Sequence, residues 1–295
     1  MGATGQVVYN PAMPARTPGA TPDRGDQPDR LHVRIFRVAH VVIDDQWRSA
    51  DVRDPFWRLY VNDRDGAALE LPGERRPFLL APGRAHLVPA WVRFTCRCDR
   101  PVGHFYVHFD VAGLTGVMVR RLFPTPVTLG HDAAVVTLTS ALAPRVTETG
   151  RAGPAEVLAT KAAVNLALAA LLTELPPGVT ARLWSSAAVP DAVAPAVRYI
   201  DTHLSQPLDN AQLARLCHLS PDHFIRTFRT ALGQTPRQYV LERRVAAASR
   251  RLMMGRDSID QVAARYGFAD RFHFSRVFKR VMGQSPAGYR SAMVV

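Results

Sequence analysis

The sequence predicts an α+β protein of two domains: an N-terminal β-barrel followed by helices, and a C-terminal domain built only of helices. Three observations lead to this prediction. Short runs rich in Val, Phe, Tyr and Ile alternate with turn-forming residues from Leu31 to Val111. Helical periodicity replaces the strand pattern from Pro154 onward. In the last hundred residues, one helical pattern occurs twice.

Shifts in composition divide the chain of 295 residues. Residues 1–30 are rich in Pro, Gly, Thr and charge and show no periodicity, which is typical of a disordered arm. Residues 31–175 form the predicted barrel and its helices. The run 176–195 contains prolines and small residues and is interpreted as a linker. Residues 196–295 form the predicted all-helical domain.

Turn sequences separate the predicted strands of the barrel. They are Asn62-Asp63, Pro72-Gly73, Pro82-Gly83 and Pro101-Val102-Gly103. Short strands at nearly regular spacing are typical of a barrel or a sandwich. Cys96 and Cys98 stand two apart in one strand and point to the same face, with no second pair nearby. We therefore interpret them as structural cysteines. The stretch Leu114–Leu142 fits neither a strand nor a helix pattern clearly.

Pro154–Leu175 is a predicted helix with two apolar stripes. The first contains Val157, Val164, Leu168, Leu171 and Leu175, and the second contains Leu158, Ala162, Ala169 and Leu172. Two stripes need two partners. One is the barrel. The other is either the same helix in a second subunit or a further part of this chain, and the pattern does not separate the two.

A repeat at an offset of 50 residues carries most of the functional information. HFIRTFRTALGQTPRQY begins at His223 and HFSRVFKRVMGQSPAGY begins at His273. In each copy a short helix, a tight turn and a second helix follow one another. The predicted first helices have N-caps at Asp209 and Ser258, and the second helices start near Pro221 and Asp270 and end at Gly233 and Gly283.

A short helix, a turn and a second helix with a cationic outer face form a helix-turn-helix, whose second helix can enter the major groove of DNA. Arg reads guanine in that groove and also binds phosphate. Of the formal net charge of +12, residues 196–295 carry +9, from 16 basic and seven acidic side chains. A basic surface on two amphipathic hairpins is the alternative. Two copies with the same turns and charge favour DNA binding.

The segment from Arg237 to Met254 is the predicted connection between the two units. Leu241, Val245, Ala248 and Leu252 are spaced 4-3-4, as on one amphipathic helix. A rigid connector would hold the two second helices at a fixed separation. Successive major-groove faces lie about 34 Å apart on a duplex.

With these residues in view, the C-terminal third resembles the AraC/XylS family of bacterial transcription regulators. Tyr266–Arg290 is similar to the family signature, and IRTFRTALGQTPRQYV is similar to its degenerate first copy. By position, Asp222, Ile225 and Arg226 match the family's base-facing slots in the first copy, and Arg271, His273, Ser275 and Arg276 match those in the second. Together with His223 and the outer-face cations Arg229, Lys279 and Arg280, they are the candidate contacts with double-stranded DNA. Asp222 and Ile225 depart from a polyanion-binding pattern, although Ile225 can meet a thymine methyl.

The N-terminal part resembles the cupin-like sensor domain of sugar-responsive members. LLAPGRAHLVPA from Leu79 and HFYVHFDV from His104 carry the resemblance. It implies a small-molecule effector, a carbohydrate in such members, bound inside the barrel. It also implies a homodimer formed by the helix after the barrel, contact with RNA polymerase, and activation as the commoner mode. The candidate effector contacts are Trp57, Arg58, His104, Tyr106 and His108.

Two other functions compete with this prediction. A DNA-binding protein could use its barrel only for dimerisation, and a cupin enzyme could carry a basic helical accessory domain. His104 and His108 share one strand face, and His40 and His86 lie on other strands, but no HxH pair and no suitably spaced Glu accompany them. No P-loop, GxGxxG or nucleophile elbow is present. We therefore predict no enzyme, metal or cofactor.

The cellular location is predicted from what the sequence contains at its N-terminus and in its apolar runs. No apolar run reaches the roughly 20 residues of a bilayer span, and the basic-then-apolar pattern of a signal peptide is missing. Three cysteines suit a reducing compartment. The expectation is a cytoplasmic, nucleoid-associated protein.

Overall fold

The computed structural model describes residues 31–112, 114, 116–146, 152–175, 192–255 and 257–292. The predicted arm 1–30 and most of the predicted linker 176–195 lie outside these residues. The described strands are β1 His32–Ile43, β2 Ser49–Arg53, β3 Trp57–Asn62, β4 Ala67–Glu70, β5 Phe78–Leu79, β6 Ala85–Val88, β7 Arg93–Cys98, β8 Val102–Ala112 and β9 Val127–Thr128.

These strands form two antiparallel sheets that face each other. The first sheet has the order β1-β8-β3-β6-β9, and the second has the order β2-β7-β4-β5. β1 pairs with β8 over its whole length, with one register shift between Ile35 and Arg37. The described strands do not close into a single hydrogen-bonded ring, so the predicted barrel is an open one. The cupin-like, two-sheet architecture is otherwise confirmed.

The first sheet is buried on both faces. In β8, His104, Tyr106 and His108 face the second sheet, whereas Phe105 and Val107 pack on the outside, as the two-residue period of a strand requires. The inner core lies between the sheets and includes Tyr60, Leu69, Phe94 and Cys98. A sheet buried on both faces needs helices over its outer face.

Helices supply that cover. After β8 come α1 Gly116–Leu122, α2 Ala133–Leu142 with a 3₁₀ turn at Ala143–Arg145, and α3 Pro154–Thr173. The stretch that was ambiguous in sequence is therefore two helices with β9 between them. The C-terminal helices are α4 Ala194–Thr202, α5 Asn210–Leu216, α6 Pro221–Leu232, α7 Pro236–Met254, α8 Ile259–Arg265, α9 Arg271–Met282 and α10 Pro286–Ala292.

One side of α3 is buried and the other is open. Thr160, Ala163, Val164, Ala167 and Leu171 are buried, and the helix packs against β1 and α2. On the opposite side, the side chains of Leu158 and Leu166 are 66% and 42% exposed. Leu158, Ala162 and Ala169 of the second stripe have no partner among the described residues, whereas Leu172 packs against the main apolar cluster.

The same helix is an exception to the expectation that no segment could span a bilayer. Among the described helices, α3 alone has the length and apolar composition of a span, with a mean hydropathy of 1.6. A third of that window is buried inside the protein. Its contacts with β1 and α2 are those of a core helix covering a sheet.

The C-terminal helices pack onto the outer face of the first sheet. One continuous apolar cluster contains Trp57 and Phe109 from the sheet together with Val245, Phe278 and Tyr289 from the C-terminal helices. Two ion pairs cross the same boundary. Arg120 of α1 lies 3.2 Å from Glu242 of α7, and Arg250 of α7 lies 3.8 Å from Asp110 of β8.

Candidate nucleic-acid interface and effector cavity

The first helix-turn-helix consists of α5 and α6. Asp209 is the N-cap of α5, and its carboxylate accepts a hydrogen bond of 2.7 Å from the backbone N–H of Gln212. Phe224 and Phe228 of α6 are fully buried. α6 ends at Gly233, whose φ of +70° is the left-handed conformation that glycine adopts without strain.

The second helix-turn-helix, α8 and α9, repeats this construction. Ser258 and Gln261 form a capping box at the start of α8. Asp270 caps α9 by accepting 2.7 Å from the backbone N–H of His273, and Gly283 ends it at φ +83°. The rings of Phe274 and Phe278 meet edge to face at 5.4 Å, as do Phe224 and Phe228 in the first copy. The predicted starts and ends of these helices are confirmed.

Most of the predicted DNA contacts lie on the solvent-facing sides of α6 and α9. The exposed ones are Asp222, His223, Arg226, Arg229, Arg271, Arg276, Lys279 and Arg280, and the half-buried ones are Ile225, His273 and Ser275. The ring of His273 lies 5.7 Å from that of Phe268 in the preceding turn. His273 is therefore turned partly toward the turn, unlike its equivalent His223.

The cations on these faces differ in how far they are already engaged. Arg271 is 3.7 Å from Asp260 of α8, and its guanidinium lies 5.0 Å from the centre of the Phe272 ring. In contrast, no carboxylate among the described residues lies within 4 Å of Arg226, Arg229, Arg276, Lys279 or Arg280. These five side chains are available for phosphate or base.

One exposed side chain on α9 was missed by sequence reasoning. Phe272 is 64% exposed, although it is a large apolar residue. The repeat indicates its position, because the 50-residue offset pairs Phe272 with Asp222, a predicted DNA contact of the first copy.

Arg244 of the connecting helix α7 joins the two units. Its guanidinium donates to the carbonyl oxygens of Leu204 at 2.9 Å, Gln206 at 2.6 Å and Gly267 at 2.7 Å. Leu204 and Gln206 precede the first helix-turn-helix, whereas Gly267 is in the turn of the second. The predicted rigid connector is thus one helix with a side-chain clamp that holds the second turn against the first unit.

A cavity of about 460 Å³ lies between the two sheets. Its walls come from β1, the loop after it, β2, β3, β7 and β8. Four of the five predicted effector contacts line it: Arg58, His104, Tyr106 and His108. Trp57 does not, because its side chain is on the outer face of the sheet, 5.3 Å from the ring of Phe123 and 6.3 Å from that of Phe109. Residues missed in the sequence include Arg37, Trp47 and Tyr60.

The imidazoles in the cavity are neutral at pH 7. Burial lowers the pKa of His104 to about 3, and its Nδ1 lies 2.7 Å from Oδ1 of Asn62. Burial also lowers the pKa of His108 well below its ordinary value, and nearby Arg58 and Arg37 act in the same direction. Both rings can donate or accept hydrogen bonds, but neither contributes positive charge.

The positive charge of the cavity comes from two arginines. Arg58 forms a buried ion pair with Asp54, and its guanidinium lies between the rings of Phe56 at 4.5 Å and Phe94 at 5.2 Å. Burial alone would lower the pKa of Arg58, but Asp54 holds it above its ordinary value. Arg37 lies over the ring of Tyr106 at 5.7 Å, with no carboxylate within 4 Å in the described parts of the chain.

Other groups considered for metal binding are engaged elsewhere. Both ring nitrogens of His86 already have partners, the hydroxyl of Thr128 at 2.9 Å and the carbonyl of Ala81 at 3.0 Å. Cys96 and Cys98 are free, buried thiols on the inner face of the second sheet. In the described residues, no three His, Cys, Asp or Glu side chains form a group that could hold a metal ion.

Comparison with known proteins decides the family. A helix-turn-helix domain family matches residues 213–292. The MmsAB operon regulatory protein of Pseudomonas aeruginosa is 36% identical over 92 residues, which are 31% of this chain and 30% of that protein. Regulatory protein SoxS of Salmonella typhimurium is 33% identical over 94 residues, which are 32% of this chain and 88% of SoxS.

This chain belongs to the AraC/XylS family. The alignments cover about a third of the first curated relatives, so they concern the helix-turn-helix part of each AraC/XylS protein. The sheets are matched at the level of fold. Unsaturated fatty acid bound wild-type ToxT from Vibrio cholerae has a TM-score of 0.51 at 14% identity, over 90% of this chain and 96% of ToxT. The AraC/XylS chain described here therefore shares a full-length, two-part fold with ToxT.

Proposed function

We propose that this protein is a sequence-specific regulator of transcription that binds double-stranded DNA through α6 and α9 and responds to a small molecule held between its sheets. The observation that supports DNA binding most strongly is the repeated helix-turn-helix, in which both second helices expose unpaired cations. One unit alone could be an amphipathic hairpin with a solvated surface. Two units clamped by Arg244 present two reading helices in a fixed arrangement.

Selection from a random pool of duplexes tests this proposal. The full chain is mixed with the pool at a stated salt concentration, and the retained duplexes are sequenced. We expect a motif of two patches about one helical turn apart, since successive major-groove faces are roughly 34 Å apart. Salt-sensitive retention without a motif would contradict sequence-specific binding and leave only a basic surface.

Arg276 provides a residue-level test on the selected site. Arg276→Ala is expected to weaken binding by roughly 1–3 kcal/mol and to relax the preference at one position, as loss of a base contact does. Arg75→Ala is the matched control, because Arg75 is exposed on a loop between strands and its removal makes the same change in net charge. Equal effects of the two substitutions would contradict the assignment of Arg276.

The cavity supports the effector proposal. Its volume suits a small organic molecule, and it combines apolar and aromatic walls with a few polar groups, including Arg37, Arg58 and two neutral imidazoles. A sugar-like effector remains a prediction, and the fatty acid bound to ToxT shows a different chemistry in a protein of the same fold. Sugars and organic acids therefore both belong in the test.

A thermal-shift screen with the full chain tests effector binding. A compound bound in the cavity raises the melting temperature. Val41 lines the cavity, so the larger side chain of Val41→Trp should occupy part of its volume and abolish that shift. Leu79→Trp is the control, because Leu79 is exposed away from the cavity. An equal shift in wild type and Val41→Trp would contradict binding in the cavity. A screen without any shift would favour the alternative in which the sheets serve only dimerisation.

We also propose a homodimer formed through the exposed stripe of α3. The stripe contains Leu158, Ala162, Leu166 and Ala169, and a second copy would cover apolar surface that this chain leaves in water. Leu158→Asp with Leu166→Asp is expected to give a monomer in analytical ultracentrifugation. Leu79→Asp, at an exposed leucine of β5 outside this helix, should leave the dimer intact. A dimer that survives the double substitution would contradict this interface.

Contact with RNA polymerase, activation of transcription and a cytoplasmic, nucleoid-associated location complete the proposal, all on the basis of the family. An in vitro transcription assay on the selected site, with and without the effector found in the screen, tests activation. The competing enzyme hypothesis requires a metal on His86, His104 or His108. The two hydrogen bonds made by His86 argue against it, and stoichiometric metal in the purified protein would revive it.

A further inference from the structure

Phe272 occupies the first turn of α9 and is the most exposed aromatic side chain among the large hydrophobic residues of the described chain. It is 64% exposed, whereas Phe268, Phe274 and Phe278 around it are buried. A phenylalanine left in water lacks the favourable free energy of burying its ring. The fold of α9 does not use this ring, because the buried face is complete without it.

The position of Phe272 on the helix places it with the proposed reading residues. Ser275 and Arg276 follow at three and four residues, so all three lie on one face of α9. The guanidinium of Arg271 lies 5.0 Å from the ring centre, and Arg271 is itself paired with Asp260 at 3.7 Å. The ring therefore lies at the start of the helix, the part of a recognition helix that contacts base edges.

A phenyl ring cannot read donors or acceptors, which narrows what it can recognise. Of the groups that the four base pairs present in the major groove, the apolar one is the C5-methyl of thymine. We propose that Phe272 selects thymine in the half-site read by α9, through apolar contact with that methyl group. Ser275 and Arg276 then read polar atoms of neighbouring bases. This inference rests on the proposed DNA-binding function and adds the base that α9 prefers.

Replacement of thymine by deoxyuridine tests the contact, since it removes the methyl group and leaves base pairing unchanged. The full chain is first used to select its site, and each thymine of the half-site is then replaced in turn. One methyl group is worth about 0.8 kcal/mol on burial, which corresponds to about a fourfold loss of affinity. We expect this loss at one or two positions for wild type, and equal binding of thymine and deoxyuridine at those positions by Phe272→Ala.

Two further variants keep the result interpretable. Phe272→Leu retains an apolar side chain and should keep part of the thymine preference. Lys279→Ala removes an exposed cation on the same helix, so it should weaken binding to all sites, lower the salt dependence and leave the thymine-to-deoxyuridine ratio unchanged. Since Phe272 is exposed, its variants should melt at the wild-type temperature.

The outcomes separate this inference from the function on which it rests. If wild type selects no motif, the DNA-binding proposal itself fails. If wild type selects a motif but Phe272→Ala retains the same sensitivity to deoxyuridine, or the half-site contains no thymine, the inference about Phe272 is overturned. Unchanged DNA preference combined with lost activation in Phe272→Ala would also overturn it, and would assign the ring to a protein partner.

Discussion

The ion pair between Asp54 and Arg58 is buried at the wall of the cavity. The two side chains are only 0% and 4% exposed, and Arg58 lines the cavity. Burial and the nearby carboxylate of Asp54 raise the pKa of the Tyr289 hydroxyl, from α10, which has no hydrogen-bond partner among the described residues. The ring of Tyr289 packs edge to face on Phe278 of α9 at 5.4 Å. Loss of Asp54 should therefore lower the free energy of unfolding and weaken the packing of the C-terminal helices on the first sheet.

The expected magnitude follows from burial. Asp54→Ala leaves the guanidinium of Arg58 in the interior without its partner, and removal of one member of a buried pair costs about 3–5 kcal/mol. Glu70→Ala is the matched control. It removes one carboxylate from the pair with Arg97, in which the side chains are 53% and 49% exposed at 3.3 Å, and exposed pairs contribute less than about 1 kcal/mol.

Urea unfolding followed by far-UV circular dichroism and by tryptophan fluorescence measures the loss. The double variant Asp54→Ala with Arg58→Met removes the orphaned charge and should recover most of the stability, since an apolar replacement of a buried pair is often neutral. A loss below 1 kcal/mol for Asp54→Ala, or a double variant that is less stable than the single one, would refute this reasoning.

Three further predictions concern the pH dependence, a helix cap and the clamp between the two units. His104 should lower the free energy of unfolding by about 2 kcal/mol when the pH falls from 7 to 5. Its pKa is about 3 in the folded protein and 6.5 in the unfolded chain, so only the unfolded chain takes up a proton in this range. Urea titrations at both pH values measure this loss. An equal loss of unfolding free energy between pH 7 and pH 5 in His104→Gln would contradict the prediction. Asp270→Ala should cost about 1 kcal/mol and weaken DNA binding, because the cap to the backbone N–H of His273 is lost, whereas Asp270→Asn should retain most of it in thermal melts and binding titrations. Arg244→Ala should lower the free energy of unfolding by about 2 kcal/mol, because hydrogen bonds to three carbonyl groups are lost. It should also weaken binding to a duplex with both patches of the selected motif more than binding to a duplex with one patch. Equal losses of affinity for the two duplexes in binding titrations would argue against a clamp.

Local interactions explain why so much of the C-terminal part could be predicted. The caps at Asp209, Ser258 and Asp270 act over three residues, and the left-handed glycines at 233 and 283 end their helices through bonds to the preceding turn. Such contacts depend only on neighbouring sequence. The helix boundaries, the repeat and the family were therefore within reach of the sequence alone.

In the strand region, the sequence pattern did not determine which face of each strand is turned toward the cavity. The two-residue period of a strand correctly places His104, Tyr106 and His108 on one face of β8, but it does not determine whether that face lines the cavity. Trp57 and Arg58 are adjacent in β3 and must point to opposite sides, so both could not line the same cavity. Arg58 faces inward and Trp57 outward, because the second sheet lies on one side and the helices on the other.

By itself, the sequence determined two capped, repeated helix-turn-helix units, a connecting helix and a strand-rich N-terminal part, since these depend on periodicity and on contacts within a few residues. Only the tertiary structure decided which side of the first sheet encloses the cavity, which stripe of α3 stays open, and that Tyr289 shares one apolar cluster with residues of the first sheet. The exposure of Phe272 belongs to the same group. Burial and charge pairing between residues far apart in the chain depend on how complete elements pack, and no local pattern records that.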